Sequence, residues 1–294
     1  MPLQSKPAPN EACALPEKEP GDKFLATIPF FPERGVDNDC EYPTKLKQKS
    51  GDTFVDRLKE AGVFEIAFLR HGNTHPIPEN GVDFDRALTD IGRKQAKQAA
   101  SSFGNALKPF YPSVLVSPAP RTMETAKIFL EAAGCFNIDD KDEIDQVHLS
   151  PIQSLYDGTM QPQGSKLFQK LGYAPLRDYL DNQIDEEDKM TARAVLGAYA
   201  QSVVESILDV LNEDAAKDEE LTMAERPATR RTLLLVGHAI YLPAAALGIA
   251  SLTNCDEESL DLILSTPTQE AEGYLIDLEQ SKAQYLRRPE SNQL

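Results

Sequence analysis

The sequence predicts an α/β fold, a three-layer sandwich with a mostly parallel central sheet and helices on both faces. Three observations point that way. The short apolar runs Phe64–Leu69, Val114–Val116 and Thr232–Val236 have the length and composition of strands buried on both sides. Segments with apolar residues at helical spacing alternate with these runs, a pattern that winds helices around a sheet. The chain of 294 residues is long enough for one large domain, or two small ones, with a substantial core.

Taken in order, residues 1–52 are rich in Pro, Lys and Glu, with a single apolar run at Phe24–Phe31, and read as an irregular extension. Residues 53–288 read as the folded domain and 289–294 as a tail. A short helix starts near Thr53, and the strand Phe64–Leu69 then ends on Arg70-His71-Gly72. Thr89 offers an N-cap and Asp90 a first-turn acid. Ala96, Ala99, Ala100 and Phe103 continue that helix to Leu107. Val114–Val116 lies between Pro112 and Pro118, and a helix opens at Pro120 or Arg121 and closes near Gly134.

A third strand is expected at Gln146–Leu149, short helical pieces at Lys166–Leu171 and Pro175–Leu180, and a long helix from about Lys189 to Leu211. Glu213–Arg226 reads as a charged linker. After the strand at Thr232–Val236 come a turn, a helix start, a helix at Glu257–Leu264, and two strands, Glu272–Leu278 and Ala283–Leu286, antiparallel or at an edge. Thr232–Leu252 is apolar and nearly long enough to span a bilayer, but Gly237, His238 and Pro243 divide it into a strand, a turn and a helix.

Charge narrows the functional classes. With 30 Lys+Arg against 47 Asp+Glu, the formal net charge is −17. That disfavours nucleic acid and anionic membranes as partners. It also disfavours anionic small substrates, unless arginines reverse the field inside one pocket. The four cysteines are far apart and suggest neither a disulfide framework nor a zinc site. With no basic-then-apolar leader, a reduced cytoplasmic setting is expected.

Only four histidines occur: His71, His75, His148 and His238. Two of them end strands, in FLRHGNTH (Phe68–His75) and LLLVGHA (Leu233–Ala239), and SPAPRTMETA (Ser117–Ala126) places Arg121 at a helix start. In open α/β sheets ligands bind beyond the carboxyl ends of strands. Arg70, His71, Arg121 and His238 fall at three such ends. Arginines there supply bidentate donors for phosphate, and their charge disfavours the imidazolium, leaving a ring nitrogen free to attack phosphorus. His71 and His75 stand four apart, but Gly72 and Pro76 oppose the helix that a metal pair would need. The acidic runs lack calcium-loop spacing. No metal or other cofactor is expected, and His148 reads as structural.

RHGNT after an apolar strand, then Leu88, Thr89, Gly92, Gln95 and Ala96 in an LTxxGxxQA helix, then SPxxR…TA, then GH after a further strand, resembles the histidine phosphatase superfamily in its phosphoglycerate mutase-like branch. GVDFDRALTD (Gly81–Asp90) is similar to the small phosphohistidine phosphatases of that superfamily. The resemblance implies His71 as the nucleophile, with Arg70, Arg121 and His238 forming the phosphate pocket. It also implies substrate contacts from Gly72, Asn73 and Thr74. Ala239 after His238 departs from the His-Asp pair of the acid-phosphatase branch, so the proton donor must lie elsewhere. Asp157 in SLYDG is the first choice, with Glu79, Asp83 and Asp85 as competitors.

The activity so implied is metal-independent hydrolysis of a phosphomonoester or phosphohistidine through a phosphohistidine intermediate, on a phosphorylated small molecule or phosphoprotein. A phosphoglycerate-type mutase, or a phosphate-binding scaffold with little turnover, remains as an alternative.

Overall fold

The computed structural model describes residues 51–104, 106–107, 109–135, 147–156, 166, 168–180, 192–217 and 230–289. Among the described residues six strands form one sheet: β1 (Val63–Arg70), β2 (Ser113–Val116), β3 (His148–Pro151), β4 (Arg231–Gly237), β5 (Gly273–Asp277) and β6 (Lys282–Leu286). Their spatial order is β3-β2-β4-β1-β5-β6. The first four in that order run parallel, and β5 and β6 add antiparallel pairings at one side.

The helices are α1 (Gly51–Glu60), α2 (Asp90–Ala99), α3 (Pro120–Ala132), α4 (Leu176–Leu180), α5 (Ala192–Lys217), α6 (Tyr241–Leu252) and α7 (Glu257–Ser265). Alternation along the central strands divides the core into two layers. Ile66, Phe68, Leu233 and Leu235 join a cluster with α1, α5, α6 and α7 side chains, among them Phe54, Leu196, Leu247 and Ile263. Ala67, Leu69, Leu234 and Val236 face the other way, against Ala99 of α2 and Phe129 and Leu130 of α3. Burial on both faces explains why the β1 and β4 sequences are continuous apolar runs.

Register fixes the functional end of the sheet. Leu69 stands beside Val236 and Arg70 beside Gly237 on the parallel β1–β4 pair, and Val116 also pairs with Val236. The residues that follow each strand, His71, Ser117 and His238, therefore emerge along one edge. The Thr232–Leu252 segment is β4, a turn and α6. Among the described residues no helix is long and apolar enough to cross a membrane.

Three elements differ from the sequence reading. Helix α2 gives way after Ala99 to a π-turn at Ala100–Gly104, so its regular part is shorter than expected. Ser101 and Ser102 there donate to the Lys97 and Gln98 carbonyls, a local bonding that competes with the helical ladder. Helix α5 continues to Lys217, through residues read as linker. Glu213, Ala215, Ala216 and Lys217 are good helix formers, and Asp214 accepts a 2.8 Å hydrogen bond from Ser113. The third strand lies two residues later than expected and ends on Pro151, which its edge position tolerates. The expected extension up to residue 50, the Asp139–Asp145 loop and Asp157 lie outside the described residues.

Candidate active site

The strand-end residues line a cavity of about 340 Å³ that includes Arg70, His71, Thr74, Arg121 and His238. The His71 and His238 rings lie edge to face, with centroids 5.3 Å apart. Both residues are buried, as are Arg70 and Arg121.

His71 is oriented by its own backbone neighbour. Its Nδ1 lies 2.7 Å from the Gly72 carbonyl oxygen. A carbonyl can only accept, so the ring proton sits on Nδ1 and Nε2 keeps its lone pair. Burial, and then the Arg70 and Arg121 charges, hold the His71 pKa well below its ordinary 6.5. The Nε2 lone pair is thus available at neutral pH.

His238 is held on both sides. Nδ1 accepts from Arg121 Nη2 at 3.3 Å, and Nε2 lies 2.8 Å from Ser117 Oγ. Burial is again the foremost reason its pKa lies well below 6.5, followed by Arg121 and His71. The arginines are anchored differently. Arg70 Nη1 donates to the Thr268 carbonyl at 2.8 Å, and its guanidinium sits 4.6 Å from the Tyr173 ring centroid. Arg121 donates to the Asp83 carbonyl at 2.5 Å and the Asp83 carboxylate at 2.6 Å. The Nε atoms of Arg70 and Arg121 are buried with no hydrogen-bond partner among the described residues. Buried donors of that kind are rare and costly, and an anion among them would relieve the cost.

The glycines of two sequence motifs meet. A Cβ on Gly72 would lie 2.5 Å from the Gly92 carbonyl oxygen, and one on Gly92 would lie 2.1 Å from the Asn73 carbonyl oxygen. The loop after β1 therefore packs backbone to backbone on the start of α2, which only glycine permits. The missing side chain of Gly72 faces α2, and Gly72 is not among the cavity-lining residues.

Asn73 is likewise used for positioning. Its backbone N–H donates to Gln95, its side-chain amide donates to Glu270, and its side-chain oxygen accepts from the α2 N-cap Thr89. Thr74 does line the cavity, with its hydroxyl on Arg86. His75 does not, and contributes its carbonyl to Arg86 at 2.9 Å. His148 lies at the opposite end of the sheet, 2.9 Å from Ser113 Oγ.

Several site residues carry no signal that singles them out in sequence. Arg86 binds Asp83, Thr74 and the His75 carbonyl, and its charge helps lower both histidine pKa values. It lies within the GVDFDRALTD motif, yet its role depends on loop geometry. Asp83, by contrast one of the carboxylates the sequence offers as proton donor, joins Arg121 to Arg86. Tyr156 stacks edge to face on both Phe84 and His238. Glu270, nearly two hundred residues beyond Asn73, completes the rim.

This α/β fold, with paired histidines and arginines at the sheet's carboxyl edge, defines a class that sequence comparison places independently. The model of the histidine phosphatase superfamily (branch 1) matches residues 66–246, more than half of the chain, and the protein belongs to that superfamily.

Solved structures with similar folds include the mycobacterial glucosyl-3-phosphoglycerate phosphatase Rv2419c in complex with VO3, at 16% identity and TM-score 0.42 over 75% of this chain and 96% of that one. Another is a phosphoserine phosphatase of Entamoeba histolytica in complex with 3-phosphoglyceric acid, at 13% identity and TM-score 0.42 over 78% and 98%. The SixA protein of Agrobacterium tumefaciens is similar at 16% identity and TM-score 0.39 over 76% and 96%. A comparison with curated protein sequences gave no match.

Proposed function

We propose that the protein is a phosphatase that hydrolyses phosphorylated substrates through a covalent intermediate on His71. The observation carrying this reading is the convergence of Arg70, Arg121, His71 and His238 on one cavity, with His71 Nε2 left unprotonated by the Nδ1 bond to Gly72. Nε2 attacks phosphorus, the N–P bond forms, and the P–O or P–N bond to the leaving group breaks with its electron pair. Water then attacks the phosphohistidine, releasing inorganic phosphate and regenerating the imidazole. Arg70, Arg121 and His238 stabilise charge on the phosphoryl oxygens, the main task of a protein in phosphoryl transfer.

Asp157 is proposed as the donor of the leaving group's proton. It directly follows Tyr156, which lines the cavity. Asp83 is less suited, since both of its carboxylate oxygens are already engaged by arginines, one by Arg121 and the other by Arg86. Hydrolysis is favoured over a mutase because the cavity carries the Asp83 and Glu270 carboxylates, which would repel an acidic phosphoglycerate.

The test is a pulse with a ³²P-labelled phosphodonor in the presence of chelator, followed by denaturation. An acid-labile, base-stable label is expected on the parent protein and none on His71→Ala, with inorganic phosphate as the product. Phosphate release unchanged in His71→Ala would overturn the mechanism, and an isomerised ester as product would overturn hydrolysis.

A further inference from the structure

We propose that the cavity selects phosphomonoesters of aromatic alcohols, seating the phosphoryl group on the histidines and the ring against an apolar rim. This rests on the phosphatase reading and names its substrate class.

The cavity, at about 340 Å³, is far larger than a phosphoryl group needs. Beyond the histidines its walls include Ile77, Tyr156, Phe168, Tyr173, Ile240 and Tyr241. Four large hydrophobic residues are strongly exposed among those described: Ile77, Val82, Ile91 and Tyr173. Ile77 and Tyr173, at 53% and 52%, both border this one cavity. Exposed apolar side chains gathered at a cleft mark a binding surface. The rings are also fixed in advance, with Phe168 on Tyr173 at 5.2 Å and Tyr156 on Phe84 at 5.0 Å between centroids.

Charge excludes the alternatives. Of the three arginines at the cavity, Arg70 and Arg121 adjoin the histidines, and Arg86 is bound by Asp83, Thr74 and the His75 carbonyl. A substrate's second anionic group would meet Asp83 and Glu270 instead. The leaving group points the same way. Asp83 is held by two arginines, and Glu270 accepts from Asn73 and Gln95. A phenol, with a pKa of about 10, departs with less help from an acid than an alkyl alcohol requires. In the step itself His71 Nε2 forms the N–P bond while the P–O(aryl) pair leaves as phenolate, which departs without needing the Asp157 proton that an alkyl alkoxide requires and is protonated afterwards by water.

Non-hydrolysable phosphonates separate ring recognition from leaving-group chemistry. Calorimetric titration of the full chain should show phenylphosphonate binding at least 10-fold tighter than methylphosphonate. That ratio should fall at least threefold in Phe168→Ala and in the exposed-wall variant Ile77→Ser. In turnover, kcat/KM should be higher for phenyl phosphate than for 3-phosphoglycerate or phosphoserine. Equal binding of the two phosphonates, a ratio unchanged in both variants, or preferred turnover of 3-phosphoglycerate would overturn the proposal. A ring preference in binding without phosphate release from any ester would overturn the phosphatase reading and leave the ring subsite standing. Failure of both phosphonates to bind would overturn both.

Discussion

Asp83 occupies a place on Arg121 that a phosphoryl oxygen would need. One carboxylate oxygen lies 2.6 Å from Arg121 Nη2 and the other 3.2 Å from Arg86 Nη1. The Arg121 side chain is 4% exposed and that of Asp83 30%. Unit charges about 4 Å apart attract by about 4 kcal/mol at an effective dielectric of about 20. Desolvation of Arg121 and solvent screening at Asp83 reduce the net contribution to about 1–3 kcal/mol.

Asp83→Asn keeps the shape and one acceptor while removing the charge. The ligand-free variant should therefore lose about 1–2 kcal/mol of stability, while inorganic phosphate, freed from a competing anion, should bind about 10-fold more tightly, or about 1.4 kcal/mol. Calorimetric phosphate titration measures the second effect. Thermal unfolding with and without phosphate measures the coupling, and the Tm rise on adding phosphate should be larger in the variant. Phosphate affinity equal to or below that of the parent would refute the reasoning.

Three further outcomes are expected. Gly92→Ala places a methyl 2.1 Å from the Asn73 carbonyl and 2.9 Å from its nitrogen; rigid backbone on both sides should make this cost about 3 kcal/mol or more in urea unfolding, and a loss under 1 kcal/mol would contradict the packing account. His71 and His238 are depressed below 6.5 in the folded state by burial first and arginine charge second, so the unfolded chain binds more protons below that pH. Stability should hold above about pH 7 and fall as pH drops through 6.5 toward the lower folded values, by at most about 1.4 kcal/mol per pH unit per group. The urea midpoint should show that slope between pH 7.5 and 5.5, and His238→Asn should flatten it; an identical slope in the variant would exclude His238 as a source. Asp157→Asn should lower kcat for alkyl phosphates by about 10²-fold or more while barely affecting phenyl phosphate, and an equal loss on both esters would remove Asp157 as the proton donor.

How much was legible in the sequence follows from which interactions are local. β1 and β4 could be read because burial on both faces demands unbroken apolar runs, and the strand-end residues follow from the strands. Thr89 could be read as the α2 cap because capping is a three-residue event, here a 3.0 Å bond from the Gly92 N–H. The limit of α2 could not, since Ser101 and Ser102 are common on helix surfaces and only their back-bonding marks the π-turn. Gly72 is legible as a motif position with an implied substrate contact, but the Gly92 backbone packed against it is not. Arg86 and Glu270 carry no signal of their roles in sequence because their partners are set by loop and long-range geometry. Asn73 matches a motif position but spends its polar groups on Gln95, Glu270 and Thr89, holding the loop that carries His71.

The net charge of −17 and the cationic cavity belong to one design. Clustered arginines disfavour the imidazolium and so favour the neutral, nucleophilic form of the histidines among them. Burial strengthens the same bias, as the depressed histidines show. His238 must serve two states under this regime. Without a ligand its Nδ1 accepts from Arg121, which places its proton on Nε2, toward Ser117 Oγ. In the proposed reaction a phosphoryl dianion draws the Arg121 donors to itself and favours a proton on Nδ1. Nε2 then needs a donor, and the same Ser117 hydroxyl can rotate to supply one, since a hydroxyl both donates and accepts. Alanine at position 117 could support neither state, and cysteine only weakly. In the proposed reaction a serine after β2 thus lets one buried histidine stay neutral and then become a donor when the phosphoryl charge arrives.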